Sequence, residues 1–177
     1  MLRTRYLAKR AALDKATVQL KSAAIVKRLL PYMKGKTQIG FYMSFRNEVD
    51  LSSLYDCLHT HTQFAVPRVC TDTQMEFVRY HPQAQLVRSR FGIWEPSDEV
   101  CIAPNELSII LVPLVAFHPS GLRIGYGKGY YDRYLANCNV QTIGVAYEFQ
   151  RCDEIIAQSH DVLLDLIITE ERCYSSI

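Results

Sequence analysis

The run SIILVPLVAF, residues 108–117, is almost entirely apolar, and it constrains the fold of this chain more than any other feature. A strand with one wet face alternates polar and apolar residues. This run does not alternate, so both of its faces must be covered by protein. It is too short to cross a bilayer, and Pro113 interrupts it. TIGVAY (142–147) and DLIITE (165–170) repeat the pattern in shorter form. Strands buried on both faces need helices above and below, which predicts a parallel sheet inside an α/β domain.

The rest of the chain supplies those helices. Residues 2–13 predict a short basic helix. Asp14 or Thr17 can cap a second helix, whose stripe of Val18, Ser22, Ile25, Leu29 and Met33 ends near Pro31 and Gly35. A strand is expected at 38–44, then a polar turn, then a helix carrying Leu51, Leu54, Tyr55 and Leu58. FAVPRV (64–69) and MEFVRY (75–80) predict two strands joined by a turn at Thr71 and Asp72, and 81–107 predicts irregular chain. A further helix is expected around CDEIIAQ, residues 152–158. The whole predicts one domain over residues 1–177: a three-layer αβα sandwich, Rossmann-like, with a largely parallel sheet. Ligands in such folds sit beyond the carboxyl ends of the strands.

RIGYGKGYYDRYL, residues 123–135, carries the chemistry. Gly125, Gly127 and Gly129 alternate, so backbone amides can turn inward and approach an anion closely. The loop opens into a predicted helix, whose first amides add attraction for phosphate. Arg123 and Lys128 place two cations at the same point. Asp132, in the first helical turn, either offsets the helix dipole or holds a Mg2+ that bridges phosphates. A bare GxGxG is neither a Walker loop nor the dinucleotide fingerprint. Two cations, a following helix and Asp132 make phosphate, and ATP in particular, the ligand expected here.

The net charge of +2 over 177 residues gives no general attraction for nucleic acid or anionic membrane. The six cysteines form no CxxC pair, so reduced, scattered thiols are expected. MLRTRYLAKR is basic but has no apolar core behind it, so no secretory signal is expected and the cytoplasm is the expected location.

VPLVAFHPSGLRIGYGKGYYDRYL closely resembles the signature of the 5-formyltetrahydrofolate cyclo-ligase family, also called methenyltetrahydrofolate synthetases. LRTRYLAKRAAL, FYMSFRNEVDL, FAVPRV, FGIWEP and SHDVLLDLIIT resemble further blocks of that family, in the family's order. The resemblance implies an ATP- and Mg2+-dependent ring closure of 5-formyltetrahydrofolate, with or without a polyglutamate tail, by a monomeric enzyme. It also implies a fold shared with phosphosugar isomerases and acyl-CoA transferases. Carried over by position, Arg3, Arg123, Ile124, Gly125, Tyr126, Gly127, Lys128, Gly129, Tyr130 and Tyr131 would line ATP. Tyr126 to Tyr130, with Met43, Glu48 and Phe91, would face the folate. Arg123, Lys128 and Tyr130 would act in catalysis, and Asp132 and Asp161 would ligate Mg2+.

Each of these residues has a plainer reading beside that one. Asp161 could be a turn residue, Arg3 a solvated helix charge, Glu48 a surface turn glutamate, and Trp94, which might stack on the pterin as Phe91 might, a packing anchor. The family commonly has a lysine upstream of the arginine matching Arg3; here Arg5 or Lys9 are the nearest substitutes. His118 stands where the family commonly has an aspartate, and is expected to be a turn residue. Two other functions compete with the cyclo-ligase reading. An acyl-CoA transferase would need a nucleophilic glutamate, for which Glu48 is the candidate, and would leave the glycine segment without a purpose. A folate- or nucleotide-binding module without turnover is the other.

Overall fold

The computed structural model describes residues 1–89, 92–97 and 100–176. Two helices open the chain, α1 (Leu2–Ala11) and α2 (Lys15–Met33). Asp14 is the residue that caps α2, its carboxylate accepting from the Thr17 amide at 2.7 Å. The helix continues past Pro31 to Met33, because a proline in the last turn costs little more than one backbone hydrogen bond. Ser22, Ile25, Val26, Leu29 and Met33 form its buried stripe.

Strand β1 (Gln38–Gly40) is shorter than the expected 38–44, because the chain turns off after Phe41. Then come α3 (Ser52–Leu58), β2 (Gln63–Val69) and β3 (Met75–Tyr80). The stretch expected to be irregular holds three short strands. Of these, β4 (Leu86–Arg88) and β5 (Trp94–Pro96) pair as a separate ribbon, while β6 (Cys101–Ile102) adds to β3.

The apolar run 108–117 is not one strand. It divides into β7 (Ile109–Pro113), inside the main sheet, and β8 (Ala116–Phe117), which forms a hairpin with β9 (Arg123–Ile124). Helix α4 (Tyr130–Leu135), β10 (Gln141–Val145), β11 (Leu166–Ile168) and β12 (Cys173–Ser175) complete the chain. The helix expected at 152–158 does not form. Tertiary contacts hold its start extended: the Cys152 amide donates to Phe117 O at 2.7 Å, and the Tyr6 hydroxyl to Arg151 O at 2.8 Å. Cys152 is buried against Tyr6, Val115 and Ala116. All six cysteines are free thiols, as expected.

The main sheet has the order β12-β11-β10-β7-β1-β2-β3-β6. The strands from β11 to β2 are parallel, and antiparallel strands close both ends. Strand β7 behaves as its composition requires. Ile109 and Leu111 face the side covered by α2 and α3, while Ile110 and Val112 face the side covered by α4. Each such side chain, fully buried, contributes roughly 1.5–3 kcal/mol. From β1 the chain winds outward to β2, then returns to β7 on the other flank and winds away through β10 and β11. The sheet therefore reverses direction between β1 and β7, and a crevice opens beyond the carboxyl ends of these two strands.

Gly144 in β10 lets the layer above the sheet pack close. A Cβ there would sit 2.7 Å from Leu164 Cδ1 and 3.0 Å from Leu114 Cδ2. Gly144→Ala is expected to cost about 1–3 kcal/mol by overpacking. A urea unfolding midpoint equal to that of the unmodified chain would show that these leucines yield instead.

Candidate active site

The glycine loop follows β9 and spans the crevice. Gly127 (φ +93°) and Gly129 (φ +66°) are left-handed, a conformation that side chains disfavour, and Gly129 begins α4. A Cβ on Gly127 would lie 2.9 Å from the Arg3 guanidinium carbon. Arg3 therefore rests on the loop, and its Nε donates to Gly125 O at 2.8 Å. Arg5 instead pairs with Glu154 at 2.7 Å, and Lys9 lies over the Tyr6 ring. Arg3 is thus the N-terminal cation placed against the loop. Helix α4 has only six residues, so its dipole adds less for phosphate than the sequence pattern suggested. The grip depends on loop amides and cations.

A cleft of about 1390 Å³ fills the crevice, and every expected site residue within the described chain lines it, from Arg3 to Asp161. Phe91 lies outside the described residues. Trp94, 53% exposed, stands on the cleft wall and is not a packing anchor. Met43 and Glu48 enter from the turn after β1, and the glycine loop comes from the hairpin after β7. Tyr130 donates from its hydroxyl to Thr71 O at 3.1 Å, tying the loop to the β2–β3 turn.

Arg123 and Asp132 form an ion pair at 2.7 Å in the cleft floor, and Arg123 also donates to Val162 O. The Val162 amide reaches the same Asp132 oxygen at 3.4 Å. These bonds bring the segment around Asp161 beside α4. Burial pushes the Arg123 guanidinium below its usual range, and the charges of Asp132, Tyr131 and Asp161 oppose that. Asp161 accepts from the Gln158 amide at 2.8 Å, which makes it a turn residue as well as a cleft residue. Among the described residues no group of three His, Cys, Asp or Glu side chains could hold a metal. Mg2+ does not need one: it takes one or two carboxylates together with phosphate oxygens and water. Asp132 and Asp161 on one wall fit that requirement, and among the described residues the hydrogen bonds to the Asp132 carboxylate go to Oδ1.

Opposite the loop, Glu48 is 7% exposed. Its Oε2 accepts from the Phe45 amide at 2.9 Å, and its Oε1 from the Tyr126 hydroxyl at 2.7 Å. Burial raises its proton affinity, while Arg10, Tyr126 and the Phe45 amide oppose the shift. Arg10, which the sequence reading did not single out, faces Glu48 from α1. Arg3, Tyr6 and Arg10 recur at helical spacing on one stripe of α1, and that period was the available signal. Tyr131 has a buried hydroxyl on the cleft wall, beside the charges of Glu48 and Arg123, with no hydrogen-bond partner among the described residues. Of the histidines, His160 lines the cleft beside Asp161, and His118 and His59 lie outside it. His118 Nδ1 accepts from the Ser120 amide at 3.1 Å within a turn, as expected, and exposed His59 stacks on Tyr55.

Three comparisons bear on this geometry. A family model described as the 5-formyltetrahydrofolate cyclo-ligase family matches residues 1–170. A 5-formyltetrahydrofolate cyclo-ligase of Mycoplasma pneumoniae is 33% identical, over 96% of this chain and 97% of its own. One from Haemophilus influenzae is 34% identical, over 73% of this chain and 74% of its own. The solved structure of the Aquifex aeolicus 5,10-methenyltetrahydrofolate synthetase superposes with a TM-score of 0.87. It shares 32% identity, covering 99% of this chain and 91% of that one.

The two aspartates are expected to differ in what they do for the fold. Asp132→Asn removes the partner of a mostly buried guanidinium and should lower unfolding stability by about 1–3 kcal/mol. Asp161→Asn can keep its turn bond through the amide oxygen and should change stability by less than about 0.5 kcal/mol. Urea unfolding of both variants checks the contrast; equal losses would contradict it.

Proposed function

The chain belongs to the 5-formyltetrahydrofolate cyclo-ligase family, and we propose that it closes the folate ring by ATP- and Mg2+-dependent phosphorylation of the formyl oxygen. It is an enzyme of folate one-carbon metabolism, converting 5-formyltetrahydrofolate to 5,10-methenyltetrahydrofolate. The observation that carries the mechanistic reading is the shared cleft. A phosphate-type loop with Arg3 and Lys128 faces a buried carboxylate, Glu48, across one crevice, and Tyr126 touches both sides.

In this reading residues 123–131 and Arg3 hold the ATP phosphates, while Met43, Glu48, Phe91 and residues 126–130 face the folate. A formamide oxygen is a poor nucleophile and a poor leaving group. Its attack on the γ-phosphorus releases ADP and leaves the carbon bearing a phosphate. The position-10 nitrogen then attacks that carbon, loses its proton, and inorganic phosphate departs. The protein contributes alignment and charge neutralisation, with no covalent enzyme intermediate. Arg123, Lys128 and Tyr130 border the transferring group, Arg123 as a planar guanidinium and Lys128 as a compact point charge. Asp132 and Asp161 are the carboxylates that would hold Mg2+, which offsets phosphate charge when bound. The reading further has the protein act as a monomer in the cytoplasm. Among the described residues no helix is long and apolar enough to cross a membrane.

The test is the appearance of the methenyl chromophore from 5-formyltetrahydrofolate. It is expected with ATP and Mg2+ together, and absent when either is withheld. Folate binding without any chromophore would replace this reading with that of a binding module. Lys128→Ala is expected to raise the KM for ATP by roughly tenfold, the loss of one charge-assisted phosphate contact. Unchanged ATP saturation would remove Lys128 from the phosphate site.

A further inference from the structure

Arg10 is 2% exposed, at the end of a helix that is otherwise largely a surface element. Its guanidinium reaches four residues in three separate parts of the fold. Nε donates to Arg46 O at 3.1 Å, in the turn after β1, and Nη1 to Leu114 O at 3.4 Å, where the chain leaves β7. Nη2 donates to the Tyr126 hydroxyl in the glycine loop, and Nη1 lies 3.8 Å from Glu48 Oε1. The Tyr126 hydroxyl in turn donates its hydrogen bond to Glu48 Oε1, so Arg10, Tyr126 and Glu48 form one directed chain. The backbone joins in, because Asn47 Nδ2 donates to Arg10 O at 3.2 Å and Leu13 O at 2.9 Å. Arg46 and Asn47 both adopt left-handed backbone, at φ 50° and 57°. Such residues cost about 1 kcal/mol or more each and persist where their surroundings over-determine them.

We propose that Arg10 is a positioning residue for the folate half of the site: its guanidinium keeps Glu48 ionised and aimed into the cleft, and through the Tyr126 hydroxyl it ties that carboxylate to the phosphate-binding loop. The inference rests on the function proposed above, in which Glu48 faces the folate. Its physical basis is the cost of burying a guanidinium, which an apolar side chain of similar size would avoid. The planar fork is needed because its donors must run in several fixed directions at once, which an ammonium on a flexible stem does not do. The groups facing Glu48 are Arg10 from α1, Tyr126 from the loop, Tyr131 from α4 and Tyr42 beyond β1, together with the Phe45 amide. Arg46 and Asp50 are the charged residues on the same turn. Among the described residues, Arg10 is the one cation facing Glu48. Without it the buried carboxylate takes up a proton at higher pH, and the site loses its anion.

The experiment follows kcat/KM for 5-formyltetrahydrofolate and for ATP across the weakly acid to weakly alkaline range. It uses the full chain and its Arg10→Met, Arg10→Lys and Tyr126→Phe variants. Arg10→Met is expected to raise the folate KM by roughly tenfold or more, the loss of a charge-assisted bond, while the ATP KM moves far less. The acid limb of the folate profile should shift to higher pH. Arg10→Lys should bring that limb back toward its original position, and Tyr126→Phe should move it in the same direction as Arg10→Met by a smaller amount. Folded variants with an unmoved acid limb, or with equal losses for both substrates, would reduce Arg10 to a structural strut and overturn the proposal. Should Arg10→Met not fold, the other two variants decide on the same criterion. A wild-type chain without turnover would overturn the activity reading instead; calorimetric folate binding by the same variants, compared at low and high pH, then decides the role of Arg10 separately.

Discussion

The site depends on the way the central strand leaves the sheet. Strand β7 must be apolar on both faces, yet at Pro113 it has to turn away and carry the chain into the β8–β9 hairpin. The carbonyls of Leu114 and Val115 then lie in the core without strand partners. Gln150 Nε2 donates to both, at 2.9 Å each, and Arg10 adds a second donor to Leu114. Gln150 is itself oriented by the Tyr147 amide, which donates to its Oε1 at 2.8 Å. Each of these carbonyls left bare would cost about 1–3 kcal/mol. Satisfied, they let a sheet strand become a hairpin whose far end delivers Arg123 and the glycine loop to the crevice.

The cleft then divides by charge. On the loop side, Arg3, Arg123 and Lys128 surround exposed backbone glycines, an arrangement for a multiply charged anion. On the turn side, Glu48 is an anion among phenol hydroxyls, suited to an uncharged donor-rich ring system. Tyr126 belongs to the first side by sequence and to the second by its hydroxyl. The phosphoryl transfer proposed above needs both partners held within bonding distance. A residue shared by the two walls helps to fix that distance.

This arrangement is costly for the fold. Arg10 and Glu48 are both buried charges, and Arg46 and Asn47 hold strained backbone beside them. The layer around α4 is thin: one short helix with the loop segments at Val162 and Leu164 covers that face of the sheet. Most of the stabilising apolar burial comes from the other face, under α2 and α3, away from the cleft. The separation leaves the site residues free to be arranged for binding.

Sequence alone determined the features that rest on local pattern. The double-sided burial of 109–113, a cap for α2 at Asp14 or Thr17, the stripe of α2 and the phosphate character of 123–131 follow from composition and period. The structure bears out the first, selects Asp14 for the second, and in the third buries Val26 while leaving Val18 half-buried. Resemblance to a known family added Arg3, Glu48 and Asp161, which the fold brings to one cleft with Asp132. Tertiary structure decided what local pattern does not encode. The run 108–117 splits because Gln150 and Arg10, both distant in sequence, receive its carbonyls. Residues 152–158 stay out of a helix because Phe117 and Tyr6 bind the start of that segment in extended form. Arg10 could be placed on a stripe with Arg3 and Tyr6 from sequence, but its role could not. A guanidinium acquires a function from what surrounds it, and its neighbours here come from positions 46, 48, 114 and 126.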